Sequence, residues 1–331
     1  TSSTGLGASA GYFTLDRWNL SLGSTAGRLT MTQDSSGPSG FANSLKLACT
    51  TADTSIAAGE QLMLQQKIEG QNLQTIKKGT SDAKPLTLSF WVKGNASATY
   101  VAGLYEADNS RYIASTFAVT TDWTQVEITY PADTTGALDD DNASSLELWI
   151  WLHAGTTYTS GTLQTSWGSG SNSIYAGGLS SSFFDSTART FFITGVQLEV
   201  GQNATEFEHE PYERTFAKCQ RYFHAVVPKG GPGGYFAPAW MYNSSTLVGL
   251  ITHPVEMRAS PTVETIDASN DFIFYRNGAA DYLNEMAIDA PSTKKNTGFF
   301  NSSDVSGTAG HAGGVYTDDT TNAYFYLKAE L

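Results

Sequence analysis

Residues 191–223 read FFITGVQLEVGQNATEFEHEPYERTFAKCQRYF, and this run decides how the chain divides. It begins as an apolar strand and turns at Gly201, since glycine admits the backbone angles that end a strand. Past Pro211, a residue suited to the start of a helix, Phe216, Cys219, Phe223 and Val226 recur at helical spacing. They form one apolar stripe, leaving Glu213, Lys218 and Arg221 outward. Upstream only strand patterns occur. Downstream, Pro228-Lys229-Gly230-Gly231-Pro232-Gly233-Gly234 breaks the pattern before strands resume. The run is therefore the joint between two β domains. Its helix is expected to lay the stripe across the seam, or alternatively against its own copies about a three-fold axis.

Composition agrees. At 331 residues the chain exceeds one ordinary core. Only 15% of residues are charged, 32 are Gly, and no long helical periodicity appears, a profile of β-sandwiches with many turns. The expected class is all-β: a lead-in at 1–10 that is flexible or partner-bound, an N-terminal β-sandwich over 11–201, a short linking helix within 202–228, and a smaller C-terminal β-sandwich over 229–331. A formal net charge of −13 argues against nucleic acid and anionic membrane surfaces as partners. No apolar run approaches the roughly 20 residues that span a bilayer, so membrane insertion is not expected. The chain opens Thr1-Ser2-Ser3 without an initiator Met, which reads as a processed or partial chain. Cys49 and Cys219 read as buried thiols, without disulfide or metal spacing.

The clearest strand is LTLSFWVK at 86–93, with Leu86, Leu88, Phe90 and Val92 on one face. LELWIWLH at 146–153 repeats it with Leu146, Leu148, Ile150 and Leu152. Both strands carry tryptophan on the opposite face. Further strands are expected at 44–49, 98–106, 111–119 and 124–130, while 61–68 is ambiguous. Residues 155–182 are almost wholly Gly, Ser, Thr and aromatic, the mark of a long surface loop or of frayed strands. In the second domain strands are expected at 235–242, 247–252, 262–267, 271–276 and 323–329, with Asn277-Gly278 as a hairpin turn.

Three ordered segments carry a resemblance: KIEGQNLQTIKKGTSDAKPLTLSFWVKG at 67–94, ITGVQLEVG followed by CQRY in the joint, and HPVEMRASPTV at 253–263. Together they resemble virion structural proteins of tailed bacteriophages, of the tail-fibre and head-decoration kind. The resemblance implies that the first domain is a jelly roll like those of carbohydrate-binding modules. It also implies a place on the virion surface, other virion proteins as partners, and no catalytic motif.

The tryptophan-bearing face is the site expected on chemical grounds. A sugar ring presents C–H bonds that stack on an indole, while neighbouring amides and charges bind its hydroxyls. Trp91, Trp149 and Trp151 beside Lys93, Glu147 and His153 supply both parts, unless the rings are buried under other protein. Host-surface glycans are the expected ligand, bound weakly and multivalently by a homo-oligomer, with a trimer favoured. Asp139-Asp140-Asp141 and Asp318-Asp319 are oxygen-rich enough for a structural calcium, but they lack specific ligand spacing. No other cofactor is expected. His209, His224, His253 and His311 stand at no metal-ligand spacing, and no catalytic residue is singled out.

Overall fold

A computed structural model describes residues 2–265, 271–284, 286–289 and 292–331. They form two compact units, one ending at His209 and one spanning Glu210–Glu330. The chain is all-β, as expected, with short helices only. Among the described residues no helix is long and apolar enough to cross a membrane.

In chain order the first unit holds β1 (Ser2–Leu6), β2 (Gly11–Tyr12), β3 (Trp18–Gly23), β4 (Arg28–Asp34), β5 (Ser44–Thr51), β6 (Gln61–Glu69), β7 (Leu86–Gly94), β8 (Ala98–Glu106), β9 (Arg111–Val119), β10 (Thr124–Tyr130), β11 (Ser144–Ala154), β12 (Gly168–Ser169) and β13 (Thr190–Val200). A first sheet runs β1-β4-β5-β13-β7-β10 and a second runs β12-β9-β8-β11-β6-β3-β2. The inward residues of period-two alternation meet between them. Leu29, Leu47, Leu88 and Val92 come from the first sheet, and Leu20, Leu64, Leu104 and Ile150 from the second, all fully buried. Each such side chain contributes about 1.5–3 kcal/mol, which is why the alternation was so regular.

Two expectations need correction. The lead-in is not loose: β1 pairs with β4, Ser2 opposite Thr32 and Leu6 opposite Leu29. Its pairing is carried by backbone groups, which a small polar sequence does not betray. Residues 155–182 do not fray either. They carry α1 (Thr156–Thr159) and β12, and they pack on the outer face of the second sheet through Tyr158, Leu163, Ile174 and Tyr175.

The second unit opens with α2 (Tyr212–Gln220) and continues with β14 (Phe223–Val227), β15 (Gly234–Met241), β16 (Leu247–Thr252), β17 (Thr262–Thr265), β18 (Phe272–Arg276), β19 (Ala279–Leu283), β20 (Ala287–Ile288), β21 (Asn296–Asn301), β22 (Ala312–Thr317) and β23 (Phe325–Lys328). Ile266 and Asp267 of the strand expected at 262–267 lie outside the described residues. A three-stranded sheet, β14-β23-β17, packs on a seven-stranded one, β19-β18-β22-β15-β16-β21-β20, over a core that includes Phe272, Phe299, Phe325 and Leu327. Asn277 (φ 45°) and Gly278 (φ 75°) make the expected tight turn between β18 and β19.

The helical stripe does not form. Helix α2 stops at Gln220, no residue in it is buried, and Phe216 is 47% exposed. Phe223 and Val226 stand on β14 instead. The cause is pairing within the unit: Tyr222 O accepts from Ala329 N at 2.7 Å and Phe223 lies opposite Lys328, so the backbone is drawn into the sheet.

Candidate functional site

The six residues expected to make one site are divided between two sheets. Trp91 and Lys93 lie on β7 of the first, while Glu147, Trp149, Trp151 and His153 lie on β11 of the second. Trp91 and Lys93 point out of one side of the sandwich and Glu147, Trp149 and Trp151 out of the other, while a bulge after Trp151 sets His153 opposite inward Leu62 and against Phe184, so the six cannot converge on one ligand.

The β11 group is also sealed. Trp149 is 7% exposed, Trp151 1% and His153 fully buried. Tyr105 stacks on Trp149 at 4.7 Å, Tyr175 meets the same indole edge-on at 5.1 Å, and Tyr158 covers Trp151 at 5.2 Å. The 155–182 segment is pinned there by Tyr112, whose hydroxyl donates to Tyr175 O at 2.6 Å. Glu147 is committed to its neighbours, accepting from Trp149 Nε1 at 2.7 Å and from Gln65 Nε2 at 2.5 Å. His153 bonds Ser182 Oγ at 2.8 Å and Glu60 at 3.1 Å. Burial lowers its pKa against the opposing pull of Glu60. These four residues hold the fold together, and a saccharide has no access to them.

Trp91 and Lys93 remain half-exposed and gain partners that sequence reading missed. Phe192 lies opposite Lys93 on β13, and Thr194 and Gln125 lie opposite Trp91. The Lys93 ammonium sits 4.9 Å from the Phe192 ring centre and 5.1 Å from that of Trp123, and Lys46 sits 5.3 Å from Phe192. This is a basic aromatic patch, but its ammonium groups already lie over its rings.

The better-formed site is a groove of about 440 Å³ that opens between the sheets. The second sheet lends Trp18, Leu64 and Gln66, and the first lends Gln33, Leu45 and Ile193, with Asn43 at the rim. Its lip is a bulge in β13 where the register shifts between Thr194 and Gln197, and Gly195 takes a φ of +61° there. A side chain at 195 would also strike Phe41 at 2.7 Å. The floor is apolar and one wall is an indole. Among the described residues nothing hydrogen-bonds the Trp18 indole N–H or the side-chain amides of Gln33, Asn43 and Gln66. A ring stacked on Trp18 would find three uncommitted amides, each both donor and acceptor, around it. The signal was present in sequence: Gln66 follows Leu62 and Leu64 at an inward position, where a polar residue needs a reason.

The acidic runs do local work. Asp141 accepts from Ala143 N at 2.8 Å, and Asp319 from Thr321 N at 2.7 Å and Asn322 N at 3.0 Å. Among the described residues no group of three or more His, Cys, Asp or Glu is placed to hold a metal ion. One oxygen cradle does exist, and it holds an ammonium. Lys78 Nζ lies 3.2 Å from Glu106, 3.1 Å from Asp133, 3.0 Å from Thr135 O and 2.9 Å from Gly136 O.

No family model and no curated protein matches the chain. Solved structures do. One described as "CBM4 structure and function" is 12% identical, covering 55% of this chain and 86% of that one, with a TM-score of 0.30. A family 11 carbohydrate-binding module from Clostridium thermocellum, in complex with a β-1,3-1,4-mixed-linked tetrasaccharide, is 12% identical over 57% of this chain and 91% of that one, with a TM-score of 0.31. The enzymatically active domain of tailspike protein 4 from bacteriophage CBA120 is 15% identical over 56% of this chain but 19% of its own, with a TM-score of 0.30.

Proposed function

We propose that this chain is a non-catalytic structural and adhesion protein of the outside of a tailed-phage particle, a tail fibre or capsid decoration, and that its first unit binds host-surface glycans. The observation that carries the glycan reading is the groove beside Trp18, with an apolar floor and three side-chain amides that nothing among the described residues employs. The particle context rests on the resemblance of segments 67–94, 191–223 and 253–263 to virion structural proteins. One shallow groove binds weakly. Several copies in one homo-oligomer would raise the effective concentration enough for lasting attachment.

The test is calorimetry of the full chain against polysaccharides from bacterial surfaces, selected on a glycan array. Trp18→Ala and Gln66→Leu should each weaken binding by about ten-fold or more, about 1.4 kcal/mol, whereas Trp123→Ala on the basic patch should leave it unchanged. A blank array, or a Trp18→Ala protein that binds as wild type, would end the glycan reading. Shortened polysaccharide would end the non-catalytic one. A purely architectural role is the second reading, favoured by the burial of Trp149 and Trp151 and by the apolar surface of the second unit described next.

A further inference from the structure

Among the described residues, the centre of the outer face of the second unit's seven-stranded sheet is aromatic and aliphatic, with Asp289 beside Gly298 and Asp318 beside Tyr316 at its margins. Cross-strand register defines it. Tyr282 lies opposite Ile273, Ile273 opposite Tyr316, and Tyr316 opposite Tyr235. A parallel row runs from Tyr275 through Gly314 to Pro238, and another from Trp240 through Val248 to Phe300. The other side of the same sheet faces the core, and among the described residues no second layer of the unit covers this one, although Ile273 is buried among its neighbours. Tyr235 is 66% exposed, Tyr282 52%, Tyr275 43%, Leu250 43% and Trp240 42%. Scattered apolar residues on a surface need no explanation, but a contiguous aromatic face does.

We infer that this face docks onto the same face of further copies of this chain. The inference deepens the multivalent reading above by naming the surface on which copies meet. Charge supports it. In a protein with a net charge of −13, two identical copies meet with least opposition between carboxylates where these lie at the margin of the patch, as Asp289 and Asp318 do here. Size supports it too. Strands stand roughly 4.8 Å apart with about 3.3 Å per residue, so seven strands of about five residues cover on the order of 500 Å². Two such faces bury about 1,000 Å², the level at which a specific interface begins. Relief supplies the fit: Ala280 lies opposite Tyr275 and Ala312 opposite Trp240, so small residues alternate with projecting rings. Such alternating rings and hollows interdigitate with a copy of themselves.

The experiment is sedimentation equilibrium of the full chain at micromolar concentration. Wild type is compared with the double variant Tyr275→Glu/Leu250→Glu and with the milder Tyr282→Glu on the edge strand. All three positions are exposed, and circular dichroism and melting confirm that each variant folds. Wild type should sediment as a multiple of one chain, with association weakened roughly thirty-fold or more in the double variant. A wild type that stays a single chain refutes both the oligomeric reading and this surface. A wild type and variants that assemble equally refute this surface alone. Variants that keep their mass but lose saccharide binding assign the face to glycan and overturn the inference.

Discussion

Replacing Lys78 with Met tests the most densely paired charge in the first unit. The Lys78 side chain is 4% exposed, Asp133 5% and Glu106 fully buried, and the ammonium also donates to two backbone carbonyls. At an effective dielectric near 20, unit charges about 3 Å apart attract by about 5 kcal/mol, most of which offsets their desolvation. Removing the ammonium alone leaves the desolvation uncompensated, a loss of about 3–5 kcal/mol. The lower end applies. Asp133 keeps its two bonds from Arg111 at 2.7 and 2.9 Å, and Glu106 keeps Asn109 N at 2.8 Å. We therefore expect Lys78→Met to cost about 3 kcal/mol, and Lys78→Met/Glu106→Gln to recover more than half of that because no buried carboxylate is orphaned. Urea unfolding followed by tryptophan fluorescence reads the first unit, since of the 7 tryptophans only Trp240 belongs to the second. A Lys78→Met protein within about 1 kcal/mol of wild type would show that the loops around the ammonium are held by other means.

Trp151→Ala should cost about 3–5 kcal/mol in the same assay by opening a cavity under Tyr158, while saccharide affinity of the folded fraction stays unchanged. Gly103→Ala would place a methyl 2.2 Å from the Tyr112 hydroxyl; we expect loss of stability and faster proteolysis within 155–182, because that hydroxyl anchors the segment. Burial and the neighbouring His253 push His224 down to about 4. Its folded pKa is thus below the unfolded value, so the second unit is fully stable above about pH 6.5 and loses stability as pH falls from there to about 4. Calorimetry should show about 1–2 kcal/mol lost after discounting partial exposure, and His224→Phe should reduce the dependence, leaving the part that His253, also lowered by burial, contributes. In the first unit, burial raises Asp133 but bonds from Arg111, Thr135 N and Lys78 outweigh it and hold it below the ordinary range. That contribution is complete above about pH 4 and fades below it.

How much of this was legible can be argued from β7 and β11. Their alternation is nearly identical, and it correctly assigned Leu88, Val92, Leu148 and Ile150 to the core. Side-chain period is a local property, fixed by the pleat. Sheet membership is not: β7 sits between β13 and β10, and β11 between β6 and β8, pairings made with residues far away in the chain. Two strands with the same pattern can therefore lie in opposite layers, and tryptophans that look alike in sequence can point to opposite sides of the molecule. Whether a face is open is still less local. Trp149 and Trp151 are covered by a Gly- and Ser-rich segment whose composition suggested an exposed loop, yet whose few aromatics and Tyr112 anchor fasten it to the sheet.

The more reliable local sign of a site was a misfit. Gln66 takes an inward position in the series Leu62, Leu64, Gln66, Ile68, and a polar side chain facing a sandwich interior costs stability unless something pairs with it. At Glu147 and His153 the partners are within the chain, and those residues turn out to be structural. At Gln66 no partner exists among the described residues, and a groove opens beside it. The same contrast applies in the second unit with the sign reversed: β15, β18 and β22 alternate between core residues and outward Trp240, Tyr275 and Tyr316, so both faces of the sheet are apolar although only one has a layer to bury it. A polar group facing inward and an apolar face turned outward are the two features on which the proposals above rest, a saccharide at the first and another copy at the second.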